Sequence, residues 1–299
     1  MIHYLILVHN NLDQLELLVK KIKTKNSKIY IHIDKKVKIF EKLKDVYYIE
    51  DRQNISWWWT KMLDAELIWL SEIYKNMKKW DHAVIISWQC FPIKTINYIE
   101  NYINGFWNKS CIDYRKAFKD VIKDRITTYS FYDTNFHIPK QINKLFIKFL
   151  SYFRKFDTNI KVPVINIVIW KIISFFLPKR TYLVDKYTIY WWCSWMVLSY
   201  THIKFLLNFL RTEDGKNVLK NFNCTANNDE VFFQTILVNN RENEIINDCL
   251  WYIVREKWRA SPKILTIDNL KEIKESNKIF GRKFDITKDK KIIDTLCNL

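Results

Sequence analysis

Residues 2–34 read IHYLILVHNNLDQLELLVKKIKTKNSKIYIHID, and this stretch decides the fold. Its first seven residues form a short apolar run without a carboxylate, lysine or arginine, the pattern of a strand buried on both faces. Asn10 and Asn11 then open an amphipathic helix that carries Leu12, Leu15, Leu17, Leu18 and Ile22 on or near one face. Residues 28–33 form a second strand, which ends at Asp34. Strand, helix and strand in so short a space make one unit of parallel sheet, with the crossover helix packed on a face.

The same alternation continues outward. A further strand is expected near 46–49, a tight turn begins at Trp57, and Met62 to Tyr74 reads as a helix. Residues 82–87 repeat the buried-strand pattern, and Phe91-Pro92-Ile93-Lys94-Thr95 turns into a helix capped by Thr95. Trp195 to Leu210 returns to strand and helix, 229–237 is helical, and the tail from 261 is expected as strand, helix and a basic end. The succession predicts an α/β fold with a mainly parallel central sheet covered by helices. Such sheets bind ligands at the carboxyl ends of their strands. His9, Asp34 and the segment after Ser87 all fall at such ends.

Composition bounds the function. The 299 residues, 48% hydrophobic and 16% aromatic, supply a full core for one domain spanning 1–299. Lysine and arginine number 49 against 32 acids, a formal net charge of +17 that attracts polyanions such as phosphorylated substrates or anionic lipid. The surplus is spread along the chain, and no helix-turn-helix, zinc or RNA-binding aromatic motif accompanies it, so nucleic acid ranks last as a partner. The six cysteines form no CxxC pair and read as free thiols of a reducing compartment. The first residues lack the basic region and cleavage site of a signal peptide. No apolar run reaches the roughly 20 residues of a membrane span. A cytoplasmic location follows. Residues 138–182 interleave Lys and Arg with Phe, Leu, Ile and Trp, and read as a helical insertion with two alternatives: peripheral contact with the anionic inner face of the membrane, or packing on the catalytic domain.

Several short motifs carry a resemblance when taken in order. They are Val8-His9-Asn10, Ile31-His32-Ile33-Asp34-Lys35, Trp57 with Ala65-Glu66-Leu67, Phe91-Pro92-Ile93-Lys94-Thr95 and Trp195. After them come Asn228-Asp229-Glu230 with Phe233-Gln234-Thr235-Ile236, Ser261-Pro262, and Phe280-Gly281-Arg282-Lys283-Phe284-Asp285. In these the chain resembles the core-2/I-branching β-1,6-N-acetylglucosaminyltransferases, relatives of the peptide xylosyltransferases, over most of its length except about 108–185. The resemblance implies a GT-A type fold and a UDP-sugar donor, which in that family is usually UDP-N-acetylglucosamine, with xylose or another hexose as alternatives. It also implies transfer by inversion without a metal ion or other cofactor, to a glycan or lipid-linked acceptor. The chain contains no Asp-x-Asp, the usual metal-and-diphosphate motif of that fold.

The resemblance also assigns roles. Glu230 falls on the catalytic base, which takes the acceptor hydroxyl's proton. Asn228-Asp229-Glu230 is expected at the start of a helix, whose partial positive charge would hold that carboxylate ionised. Arg259 and Lys283 fall on the cations that stabilise the leaving diphosphate, the first by its spacing to Asp268. Val8, His9 and Asp34 fall at the uridine. Glu66, Arg125, Trp195 and Asp229 are assigned to the acceptor side or to support. The rival from another class is a non-catalytic basic membrane- or polyanion-binding protein on a decayed transferase scaffold.

One departure stands out. Trp58, Trp59, Trp88 and Trp192 occupy places where the family pattern has glycine. Glycine occurs 3 times and tryptophan 13 times, whereas average usage would give roughly 21 glycines. Two explanations stand side by side: a rebuilt or inactive site rich in real tryptophan, or UGA codons written as Trp that the cell reads as glycine. A UGG codon at these places would end the second.

Overall fold

The computed structural model describes residues 1–38, 41–53, 61–117, 121–129, 177–223, 225–256 and 261–299. Twelve strands lie among them: β1 (Ile2–Val8), β2 (Ser27–Ile33), β3 (Tyr47–Tyr48), β4 (His82–Ser87), β5 (Cys90–Pro92), β6 (Ser110–Cys111), β7 (Tyr114–Lys116), β8 (Tyr190–Trp192), β9 (Met196–Ser199), β10 (Ile245–Ile246), β11 (Trp251–Ile253) and β12 (Phe280–Arg282). Every residue of β1 is buried, and its alternate side chains feed two separate cores. Ile2, Tyr4, Ile6 and Val8 pack with Leu15, Leu18, Val19 and Ile22 of the helix Leu12–Ile22. Leu5 and Leu7 point the other way, toward Leu63, Trp69, Leu70 and Ile73 of the helix Lys61–Tyr74. A strand covered on both faces has no polar side, so the apolar run is unbroken. Each aliphatic side chain fully buried this way contributes about 1.5–3 kcal/mol.

The main sheet has seven strands in the order β10-β6-β9-β4-β1-β2-β3. Pairing is parallel for β1–β2, β1–β4, β2–β3 and β6–β10. β9 is the exception and runs antiparallel to both β4 and β6. Alternation of side chains carries no sign of strand direction, so this reversal was not legible beforehand. A second sheet, β11-β12-β5, joins the C-terminal region to the segment just after β4, and β7 pairs with β8.

Local signals held where they were chemically specific. Asn11 caps the first helix from a left-handed conformation, φ 53°, and its side chain accepts from the Gln14 N–H at 3.2 Å. That helix also buries Gln14 and Val19, while Leu12 and Leu17 stay half-buried. Thr95 caps the helix Ile96–Asn104, accepting from the Tyr98 N–H at 3.3 Å. The tail differs from expectation: the helix Leu270–Glu275 precedes β12, and the helix Lys290–Cys297 follows it. The turn at Trp57 and most of the expected 138–182 insertion lie outside the described residues. Among the described residues no helix is long and apolar enough to cross a membrane. Cys90, Cys111, Cys193, Cys249 and Cys297 are free thiols.

The reversal of β9 shapes the functional edge. Met196 pairs with Ile85, so the register sets residues 195 and 194 level with the last two residues of β4 and 193 just beyond its carboxyl end. Arg282 of β12 pairs with Cys90 of β5, which brings the C-terminal cations to the same end.

Candidate active site

A cavity of about 340 Å³ opens at this edge. Four separate pieces of chain line it: Cys193, Ser194 and Trp195; Asn227, Asp229 and Glu230; Arg255 with Ser261 and Pro262; and Arg282 with Lys283, with Met62 completing the wall.

The acidic wall is a single 3-10 turn, Asn228–Glu230, entered through a left-handed Asn227 at φ 50°. Val231, at φ −128°, separates this turn from the helix Phe232–Arg241. The sequence reading placed Glu230 in the first turn of a continuous helix, with its carboxylate held ionised by the helix end. That expectation is corrected on both counts. Burial first, and then the neighbouring Asp229, push the Glu230 carboxyl up to about 7. Arg125, 3.5 Å away, opposes this, as do Asn227 and Arg255. Burial outweighs the partial charge of one short turn because it removes most of the water that would solvate the anion.

Asp229 is buried behind Glu230 and accepts a hydrogen bond from the Ser194 hydroxyl at 2.7 Å. Burial raises its carboxyl, and the Ser194 bond opposes the rise. Glu66 comes from the helix Lys61–Tyr74, is 1% exposed, and has one carboxyl oxygen without a hydrogen-bond partner. Burial and the charge of Asp229 push Glu66 well above the ordinary carboxylate range.

Another part of the lining is cationic. Arg282 is buried; it donates to the Ser87 hydroxyl and to Cys90 Sγ at 3.7 Å, and its guanidinium lies 4.2 Å from the centre of the Trp195 ring. Lys283 Nζ donates to Ser261 Oγ at 3.2 Å. Burial and the adjacent Arg282 lower the Lys283 ammonium, while Asp285 raises it. Gly281 permits the close approach that sets this strand: a Cβ there would stand 2.7 Å from the Phe284 ring and 2.9 Å from Ile93 Cγ2. Arg259 lies outside the described residues.

Val8, His9 and Asp34 gather at the neighbouring ends of β1 and β2, beside this cavity and not on its wall. The Asp34 N–H donates to the Val8 carbonyl at 2.7 Å, and the Asp34 carboxylate accepts from the Lys36 N–H at 2.8 Å. Beside His9 sits Trp88, 3% exposed, whose indole N–H donates to His9 Nδ1 at 3.3 Å. His9 is lowered first by burial, against the pull of Asp34 and with the repulsion of Arg282, Lys283 and Lys36. His9 and the cationic wall are thus within electrostatic reach of each other. Trp192 lies under two guanidinium groups, Arg115 at 3.7 Å and Arg255 at 5.6 Å from its ring centre. Trp58 and Trp59 lie outside the described residues.

The structure therefore brings Glu230, Asp229, Trp195 and Lys283 onto one cavity, and sets Glu66 and Arg125 against its acidic wall. Ser194, Arg255, Ser261 and Arg282 escaped the sequence reading. Arg282 had a signal, because it precedes Lys283 within the motif Phe280–Asp285. Ser194 had one as well, as the neighbour of Trp195.

The family model for the Core-2/I-Branching enzymes matches residues 2–279. The chain belongs to this family. It is a glycosyltransferase of the core-2/I-branching type, and its mixed, mostly parallel sheet is GT-A-like. Among solved structures, this core-2/I-branching chain is similar to mouse xyloside xylosyltransferase 1 in its apo form. That comparison has a TM-score of 0.40 and 9% identity, and covers 94% of this chain and 97% of the other. No curated protein matches the chain significantly.

Proposed function

We propose that the enzyme transfers a sugar, N-acetylglucosamine in the first instance, from a UDP-sugar to a glycan or lipid-linked acceptor in one inverting displacement. One observation carries this reading: Glu230 and Lys283 line the same cavity. Glu230 takes the proton of the acceptor hydroxyl, and the oxygen attacks the anomeric carbon from the face opposite the diphosphate. The bond from that carbon to the diphosphate oxygen breaks, and Lys283 with Arg255 receives the charge that develops on UDP. Arg259 belongs with these cations. Asp229, held by Ser194, and the buried Glu66 support Glu230 from behind. A carboxyl near 7 is well matched to this task, since a base of such pKa is half ionised at neutral pH and still holds a proton well. Val8, His9 and Asp34 are assigned to the uridine, and Trp195 and Arg125 to the acceptor side. In this scheme fixed cations replace a metal at the diphosphate. The surplus of basic residues suits polyanionic substrates and a peripheral place on an anionic membrane face.

One observation favours a second reading. Trp88 occupies the strand edge beside His9, as it would in a non-catalytic scaffold that only binds polyanions. UDP release from a panel of UDP-sugars, with and without saccharide acceptors, separates the two. The transferase reading expects release with at least one donor, and its loss in Glu230→Gln. Full turnover by Glu230→Gln would remove the proposed base, and silence with every donor would favour the binding scaffold.

A further inference from the structure

Among the described residues, five other than glycine adopt left-handed backbone: Asn11 at φ 53°, Asp45 at 58°, Trp80 at 79°, Trp107 at 56° and Asn227 at 50°. No glycine does. Asn and Asp tolerate this region because their short side chains bond locally, whereas a bulky residue there is a steric outlier. The two tryptophans stand at turn positions that ask for glycine. Trp80 is third in a turn closed by the Asp81 N–H donating to the Lys78 carbonyl at 3.0 Å. Its φ matches the third residue of a type II turn, which takes Gly or Asn. Trp107 is second in a turn closed by the Lys109 N–H donating to the Phe106 carbonyl at 2.9 Å. Positive φ at that place belongs to the mirror-image turns, dominated by Gly, Asn and Asp.

Neither indole serves the core. Trp80 is 47% and Trp107 is 70% exposed, and the two rings meet edge to face at 6.1 Å. The strain is thus uncompensated by burial. The composition points the same way, since a chain with 13 tryptophans has only 3 glycines.

We infer that positions 80 and 107 are glycine in the protein as its own cell makes it, encoded by UGA codons that the written sequence renders as Trp. Position 88 joins them because the family pattern has glycine there; its backbone is not left-handed and its ring is buried. At 88 the consequence is functional and rests on the transferase reading above. Glycine there removes the indole from His9, so that the Glu230–Lys283 cavity extends over the ends of β1 and β2 and can take the base and ribose of a uridine diphosphate.

Two measurements test the glycine assignment without any reference to activity. The first reads codons 80, 88 and 107 in the gene and weighs the corresponding peptides of protein isolated from its own cells. UGA codons with glycine masses support the inference. UGG codons or tryptophan masses overturn it, and would leave Trp80 and Trp107 as a strained, exposed aromatic patch. The second compares Trp80→Gly with Trp80→Ala, and Trp107→Gly with Trp107→Ala, in the chain made with standard decoding. Alanine removes the ring but keeps the positive-φ cost, so each glycine variant should melt about 2–4 °C above its alanine counterpart. Equal melting temperatures would refute the turn assignment.

UDP titration then tests position 88. Trp88→Gly should bind UDP at least about tenfold more tightly than the chain with Trp88, because a ligand-sized space is vacated. Equal, measurable affinities would overturn the extension at 88. If the glycines prove real and neither chain binds UDP, it is the nucleotide reading that fails.

Discussion

Two neighbouring regions of one sheet edge stand in opposite states. Around Glu230 and Lys283 the chain leaves a cavity whose acidic and basic groups both sit away from their ordinary proton affinities. Around His9 and Asp34, a few residues away across the carboxyl ends of the strands, an indole occupies the corresponding place. The first region has its chemistry assembled and its space open. The second holds the residues proposed for the uridine, with a buried indole packed against His9. Matching side-chain types is therefore separate from having room for a ligand, and the two regions let each requirement be tested alone.

The largest effect is expected on the open side. Glu230→Gln keeps the shape of the side chain and removes the base, so turnover should fall about 10²–10⁴-fold. In the unaltered enzyme kcat/KM should rise with pH and level off above about 7, where the Glu230 carboxyl is ionised. A flat profile through that range would separate Glu230 from the proton transfer. Next comes Lys283→Met, which removes one fixed charge from the leaving diphosphate and should reduce kcat about 10²–10³-fold. An equal loss from mutating an exposed lysine such as Lys38 would show that only net charge matters. A smaller and more discriminating effect lies on the filled side. His9→Ala should change donor KM little while Trp88 is present, and clearly more in the Trp88→Gly background. Additivity of the two changes would mean that His9 and Trp88 do not share a site.

The sequence made the open side only partly legible. Apolar runs and capping residues located β1, β2, β4 and the helices after Asn11 and Thr95, because those signals are local. The motif around Lys283 likewise fell at the predicted edge. Contacts that join distant segments left no local trace. Arg282 reaches Ser87 across 195 residues, and Ser194 reaches Asp229 across 35. The turn at Asn228–Glu230 was misjudged for a related reason: a 3-10 turn that leads into a helix has the same residue pattern as the helix's own first turn. Only the backbone of Val231 separates them, and the resulting burial reverses the expected direction of Glu230's proton affinity. On the filled side the sequence displayed its anomaly openly, as tryptophan in excess and glycine in deficit, but only backbone angles show which tryptophans sit in glycine's conformation.

The smallest predicted effect concerns stability and needs no substrate. A carboxyl at about 7 in the folded chain, against an ordinary 4.5, keeps a proton that the unfolded chain gives up between those values. The folded state binds the extra proton, so this group's contribution becomes steadily less favourable as pH rises from 4.5 to 7, and the full penalty applies above 7. Glutamine has no proton to lose. Glu230→Gln should therefore match the parent's melting temperature at pH 4 and exceed it at pH 8, even though Arg125 loses its 3.5 Å partner. The Glu230 side chain is 33% exposed, so water screens part of the cost and the gain is small, about 2 °C. Relief of Asp229 adds in the same direction, since the two neighbouring carboxylates repel once both ionise. A loss of stability at pH 8 would mean that the Arg125 ion pair outweighs burial. Glu230 would then be an ordinary surface carboxylate, and the contrast between the two regions would rest on space alone.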